Sequence, residues 1–375
     1  MSMNAFATAI LTFPPPSLVS SSMSNADLDR VLSSFLAYFY WAAVDTVAFP
    51  MRVGVIGVGS MGQNHARVLS EMARLVGVAD TNIKIGAAVS NKFSVSYFIN
   101  YKDLLKEKLD AVVIAAPTNL HYDMANAALA AGLHVLVEKP ICSNLRQAEK
   151  LVKNAEDLGL VLAVGHIERH NPVVGFAKKA LQANEYGQLI TASTRRVSSL
   201  PARVKDVGVI MDLGIHDMDV LRYLIGSPVK SVYSLGGRET HEKFEDHANI
   251  LMSFENGVTG FVEVNWLTPM KVRKLSLTCL KNFVELDYTN QSVTISSSML
   301  MKYDPFNLYQ VPFEYDIRQV SLQKKEPLRL ELEDFLGAIK KKRRPLATGR
   351  DAMETLRVAE AALRSQRQGK VVKLD

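Results

Sequence analysis

Cysteine is nearly absent from this sequence of 375 residues: Cys142 and Cys279 are the two present, far apart in the chain. That excludes a disulfide framework and a cysteine zinc site, and it points to a reducing, cytoplasmic setting. Long apolar runs are also missing. The best candidate, Val31 to Val44, is fourteen mostly apolar residues stopped by Asp45 and Pro50, short of the roughly 20 that a membrane span needs. No basic stretch precedes Arg30, as a secretory signal would require. Neither sign of charge dominates, with 44 Lys and Arg against 38 Asp and Glu for a net +6, so charge alone selects no partner. No His-x-x-x-His pair, paired cysteine or carboxylate loop accompanies His216, Asp217 and Asp219, and no metal is expected.

What is present is an ordinary globular composition, 48% hydrophobic and 22% charged, which rules out a disordered, collagenous or multi-span membrane chain. At about 150 residues per domain the length suggests two domains. Residues 1–50 stand apart: one arginine against three aspartates makes them net −2, leaving +8 for the remaining 325 residues. The text changes at Met51 into MRVGVIGVGSMG, which reads like a natural start. Residues 1–50 are therefore expected to be a poorly ordered extension, read from an earlier start codon.

Arg52 to Ile56 is a short β-branched apolar run, followed at once by Gly57-Val58-Gly59-Ser60-Met61-Gly62 and a helical pattern. Gly57 permits a tight turn, Gly59 lets the backbone approach a pyrophosphate, and Gly62 lets helix and strand pack closely, while the helix N-terminus favours the anion. A second strand ends in Asp80, eighteen residues after Gly62, where a carboxylate can bond the adenosine ribose hydroxyls and repel a 2′-phosphate. The expected cofactor is NAD.

Strands and helices keep alternating through Ala111 to Ala115 and His134 to Val137, which predicts a doubly wound parallel α/β sheet. Its strands end in Pro117-Thr118-Asn119-Leu120-His121 and in Glu138-Lys139-Pro140, and ligands of open α/β sheets bind at such carboxyl ends. From about Gln188 the text becomes strand-rich, with a hairpin signal at Glu255-Asn256-Gly257. Two amphipathic helices, Pro327 to Lys342 and Arg350 to Gln368, close the chain. The overall expectation is an α/β Rossmann domain over 51–170. A largely antiparallel α+β open-sheet domain follows over 171–375, with helices on one face and the C-terminal helices packing back on the first domain.

GVGSMG (57–62), PTNLH (117–121), EKP (138–140), GHIERHNP (165–172) and DLGIHDMD (212–219) occur in that order. As an ordered set they resemble the glucose–fructose oxidoreductase, inositol dehydrogenase and rhizopine-catabolism (Gfo/Idh/MocA) family. The likeness runs from Met51 to about Val372. It implies that Lys139 sits beside nicotinamide and sugar and that Asp212 and His216 are catalytic. It also implies that Ser60, Met61, Pro117, Thr118, Asn119, His121, Glu138 and Lys139 join the three glycines and Asp80 around the cofactor. The residues themselves agree: Asp212 and His216 lie four apart in a helical pattern and project one turn apart from one face.

Oxidising a secondary alcohol requires a proton acceptor, and histidine suits that task near neutrality. His216 is read as the base, Asp212 as its orienting partner or a contact to a neighbouring sugar hydroxyl, and Lys139 as the cation facing the developing alkoxide. The alternative makes Lys139 the base. The stretches around 164–174 and 195–219 look most like the branch that oxidises C3 of UDP-N-acetylglucosamine-type sugar nucleotides. Arg169, Asn171, Arg196 and Arg203, with Lys139, Asp212 and His216, are the expected substrate contacts, the arginines suiting a diphosphate. Rival readings are a dehydrogenase of a free sugar or polyol such as inositol, and a non-catalytic dinucleotide-binding regulator. The partners expected are a UDP-sugar and further copies of the chain, as a homodimer or homotetramer through the second sheet, with no nucleic acid and no membrane.

Overall fold

The computed structural model describes residues 50–200, 207–300 and 313–374. The extension read for residues 1–50, apart from Pro50, and the candidate contact Arg203 lie outside the described residues. Met51–Asp375 form one compact unit. Among the described residues no helix is long and apolar enough to cross a membrane.

Six short strands, β1 (Arg52–Ile56), β2 (Arg74–Ala79), β3 (Ser96–Phe98), β4 (Ala111–Ile114), β5 (His134–Val137) and β6 (Leu162–Val164), form the first sheet. They are joined by α1 (Ser60–Met72), α2 (Ile83–Phe93), α3 (Tyr101–Leu104), α4 (Thr118–Ala130) and α5 (Leu145–Asp157). All pair in parallel in the order β3-β2-β1-β4-β5-β6, the doubly wound Rossmann order with its switch point between β1 and β4. The sequence reading omits α5. Its apolar residues Ala148, Leu151, Val152 and Ala155 are spaced for one buried helical face, and Asn144 caps it by accepting from Gln147 N.

The sheet is buried on both sides, and β4 shows why its sequence is apolar without alternation. Val112 and Ile114 face Ala125 and Leu129 of α4 and Leu151 of α5. Ala111 and Val113 face Ala66 and Leu69 of α1.

The second sheet contains β7 (Leu189–Ser199), β8 (Val229–Gly237), β9 (His247–Phe254), β10 (Thr259–Asn265), β11 (Leu267–Cys279), β12 (Phe283–Asp287), β13 (Ser292–Leu300), β14 (Phe313–Ser321) and β15 (Val372–Lys373). Its order is β14-β13-β12-β11-β7-β10-β9-β8-β15. Only the β7–β10 pairing is parallel. Helices α6 (Pro172–Gln182), α7 (Ile215–Ile225) and α9 (Gly349–Gln368) cover one face, where Ile250, Met252, Val262 and Leu277 meet Val174, Leu221 and Ala362.

α8 (Pro327–Lys340) and α9 return to the first sheet. Leu328, Leu332 and Phe335 of α8 complete the core around α1, and Ala352, Met353 and Leu356 of α9 complete the one around α5.

Candidate active site

The glycine turn meets the geometry that its residue types allow. Gly57 has φ +81°, and a side chain there would collide with the backbone of Ala115 and Ala116. A Cβ on Gly62 would fall on the Gly57 carbonyl, whereas one on Gly59 meets nothing within 4 Å. Gly57 and Gly62 let β1, β4 and α1 close together, and Gly59 leaves open space in front of a helix N-terminus. Asp80 is held by two backbone donors, Val58 N to Oδ2 at 2.7 Å and Asn82 N to Oδ1 at 2.8 Å.

A cleft of about 1030 Å³ opens over the switch point. Gly57, Gly59, Ser60, Met61 and Asp80 line one part of it, and Pro117, Glu138, Lys139 and Asp212 another. The sequence reading misses its remaining wall, which includes Ile85, Ile99, Tyr101 and Met124. The available signal was positional: Ile99 and Tyr101 directly follow β3, at a carboxyl end where a ligand crevice forms. These residues fit a dinucleotide, with open backbone for the pyrophosphate, a fixed carboxylate for a ribose and an apolar wall. Replacing Asp80 with serine is expected to lower kcat/KM for NAD by about tenfold or more, the worth of a charged hydrogen bond, and to narrow the preference over NADP. Steady-state kinetics with both cofactors checks it.

Lys139 follows β5 and reaches the segment before α7, where its Nζ donates to the Asp212 main-chain oxygen at 2.8 Å and to Oδ1 at 3.1 Å. That segment, read as regular helix, begins with a π-helical turn over Ile210–Gly214 and becomes α-helical only at Ile215. Such turns recur at functional sites. Glu245 supports this one, accepting from Val209 N at its carbonyl and from Ile210 N at its carboxylate. His216 is half-buried, and its Nδ1 is buried without a hydrogen-bond partner among the described residues. Burial first, then the charges of Lys139, Arg196, His166 and Arg273, hold its imidazole well below the usual histidine range. The His216 imidazole is therefore neutral at pH 7.

Three expected substrate contacts turn inward instead. Arg169 is 4% exposed and forks onto both Asp219 oxygens at 2.7 Å, with Nη1 on the Leu346 carbonyl. Burial alone would raise Asp219, but Arg169 brings it down to about 2. Arg196 is 2% exposed, bonded to Asp217 through Nε and Nη2 and to Glu168 through Nη1. Asn171 caps α6, accepting from Val173 N and donating to Glu168 and to the Tyr288 carbonyl. A guanidinium this deep is stable only when its donors are spoken for, so these residues brace the site and do not face a ligand.

His121 is likewise removed from the cleft wall: its Nδ1 and Nε2 lie 2.8 Å from the carbonyl oxygens of Pro140 and Ala116, tying α4 to the EKP loop. Thr118 and Asn119 follow Pro117 at the start of α4. His166 and His170 are buried, desolvation lowering both and taking His170 to about 4. His65 of α1 is fully buried and bonded to Glu138 Oε1 at 2.8 Å. Next to them lies Glu331 of α8, whose carboxyl burial pushes well above the usual range.

Two family models match the chain. One, described as an oxidoreductase family with an NAD-binding Rossmann fold, covers residues 51–166, and the other, the GFO/IDH/MocA C-terminal domain, covers 175–285. A UDP-N-acetylglucosamine 3-dehydrogenase of Acidithiobacillus ferrooxidans is 32% identical over 291 residues, spanning 77% of this chain and 88% of that protein. The chain belongs to the GFO/IDH/MocA oxidoreductase family. The solved structure of the A. ferrooxidans 3-dehydrogenase superposes with a TM-score of 0.76 at 30% identity, covering 84% of this chain and 97% of that one. Another family member, scyllo-inositol 2-dehydrogenase (NAD(+)) of Bacillus subtilis, is 29% identical over 342 residues, or 87% of this chain and 96% of that protein. As a GFO/IDH/MocA protein this is an NAD-dependent oxidoreductase acting on CH–OH groups, which sets aside the non-catalytic reading.

Proposed function

We propose that the protein oxidises the C3 hydroxyl of a UDP-N-acetylglucosamine-type sugar nucleotide to the 3-keto sugar, a precursor for 3-amino sugar synthesis. The observation that carries the chemistry is the meeting of Lys139, from the first sheet, with Asp212 beside His216 at one end of the nucleotide cleft. The substrate rests on the likeness to the A. ferrooxidans 3-dehydrogenase.

Bound NAD supplies the hydride acceptor. In this reading the C3 hydroxyl proton passes to the neutral imidazole of His216. Lys139 Nζ, already oriented by two bonds to Asp212, faces the oxygen as it gains alkoxide character. Asp212 keeps that cation in place and neutralises it between turnovers. Lys139 as the base is disfavoured because Asp212 accepts hydrogen bonds from its ammonium, while His216 Nδ1 has no hydrogen-bond partner among the described residues.

Residues 51–170 act in this scheme as the cofactor domain and 171–375 as the substrate and assembly domain, in a cytoplasmic enzyme. The uncovered face of the second sheet supports a homodimer or homotetramer: Leu251 and Phe261 stand opposite each other there, 48% and 38% exposed. Such contiguous apolar surface marks a protein interface.

The test is a panel of UDP-sugars and free polyols incubated with enzyme and NAD, following reduced cofactor and the keto product by mass. A 3-keto UDP-sugar is the expected product. Turnover of inositols with none of UDP-sugars would replace this reading with the second one, which the likeness to scyllo-inositol 2-dehydrogenase favours.

A further inference from the structure

The inner face of the second sheet carries more positive charge beside the site than its own acids accommodate. Arg273 on β11 stands directly across from Arg196 on β7, and like charges in opposed positions cost stability. Arg196 takes both nearby carboxylates, Asp217 through two nitrogens and Glu168 at 2.8 Å. Arg273 is left with a 3.7 Å approach to the same Glu168 oxygen, its side chain one-third exposed.

Lys271, two residues earlier on β11, is exposed and has no ion pair among the described residues. The repulsion is felt in both groups. Arg273, before its own burial, is the first cause holding Lys271 below the ordinary lysine range. Burial and then Arg196 lower Arg273 itself, with Asp212 among the charges it senses. Three cations, Arg196, Arg273 and Lys271, thus share two anions, Glu168 and Asp217, next to Asp212 and His216.

We propose that Arg273 and Lys271 are the anion-recognition element of the substrate site and engage the negative charge of a nucleotide-sugar diphosphate. This rests on the sugar-nucleotide reading above. A free polyol brings no charge and would leave the two side chains repelling each other, whereas a diphosphate supplies the missing anions. Arginine is suited to it by its fork of donors. After burial, Lys139, Arg196 and His166, Arg273 also contributes to the depression of His216 in the free enzyme, so an anion bound at Arg273 offsets part of it and makes the imidazole a better proton acceptor.

The experiment compares wild type with Arg273→Gln, Lys271→Gln and, as a control on the outer face of β7 where Arg195 pairs with Glu263, Arg195→Gln. Arg273→Gln is expected to raise KM for UDP-N-acetylglucosamine and Ki for UDP by about tenfold to a hundredfold, with KM for NAD little changed. Lys271→Gln gives a smaller rise, Arg195→Gln stays within about twofold, and Arg273→Lys recovers part of the loss. A thermal unfolding midpoint of Arg273→Gln at or above that of wild type shows that the fold is intact.

With the uronic acid form of UDP-N-acetylglucosamine as a second substrate, an effect confined to that form, with UDP inhibition untouched, moves the contact from the diphosphate to the sugar carboxylate and overturns the diphosphate assignment. Unaltered KM and Ki in both β11 variants overturn the proposal outright. If wild type turns over no UDP-sugar, the substrate reading fails separately, and calorimetric titration with UDP still decides the anion site. Binding lost in Arg273→Gln upholds it, and equal or absent binding refutes it.

Discussion

Lys139→Ala is expected to lose about 10²–10³-fold in kcat, the usual worth of a group that meets charge developing in the transition state, while still binding NAD. The lysine touches two partners, both on Asp212. Removing it takes away the cation facing the alkoxide and leaves a 4% exposed carboxylate to repel that same oxygen. Lys139→Arg keeps the charge but not the compact ammonium that fits between two oxygens, so it rescues little. His216→Ala is expected to lose about 10²–10⁴-fold, as for a general base.

The pH profile separates the two roles. A base must be deprotonated to act, and His216 sits below the usual histidine value. The acid limb of kcat/KM should therefore lie below pH 6.5, with the rate flat through neutrality. The residual rate of Lys139→Met should show that limb displaced upward, because one of the charges depressing His216 is gone. Near-normal turnover in folded Lys139→Ala would sink the site assignment.

Arg196→Met is expected to cost stability more than binding. It strands Asp217 and Glu168, 1% and 6% exposed, and breaking a buried pair from one side costs about 3–5 kcal/mol. Burial raises a lone carboxyl, whereas Glu168 now lies below its ordinary range because Arg196 and Arg273 outweigh its desolvation. Denaturant unfolding checks the loss. Arg196→Lys should lose less, since it keeps the charge but not the fork onto Asp217. A wild-type unfolding midpoint combined with a raised KM for the sugar would return Arg196 to the substrate role that its sequence neighbourhood suggested.

That contrast shows where the sequence was readable. The glycine turn and the positions of Asp80 and Lys139 at strand ends were legible because they depend on the local backbone, while the role expected of Lys139 came from the family resemblance. The parallel, doubly wound character of the first sheet followed from the alternation of strand and helix, whereas its strand order came from the structure. The arginines were not legible in this way. Arg169 and Arg196 lie in stretches that resemble a substrate site, and whether a guanidinium faces a ligand or a carboxylate depends on Asp219 and Asp217, set by the packing of α7. Arg273 was missed for the converse reason: on β11 it reads as an ordinary strand cation, and only pairing with β7 places it opposite Arg196. The π-helical turn before His216 left no mark in the apolar pattern because it spans only five residues, Ile210–Gly214, too few to show a period.

The return of α8 and α9 to the first sheet bears on how the protein is made. Chains grow from the N-terminus and domains commonly fold as they emerge, but here Val53, Val55 and Leu69 share a core with Leu332 and Phe335. Leu151 and Val152 share another with Met353 and Leu356. The nucleotide-binding half, though translated first, has both apolar faces incompletely covered until residues 327–368 have left the ribosome. Its synthesis thus carries a long interval in which a nearly finished sheet exposes apolar surface, and a chain ending before residue 327 is expected to be an aggregation-prone fragment in place of a working cofactor domain.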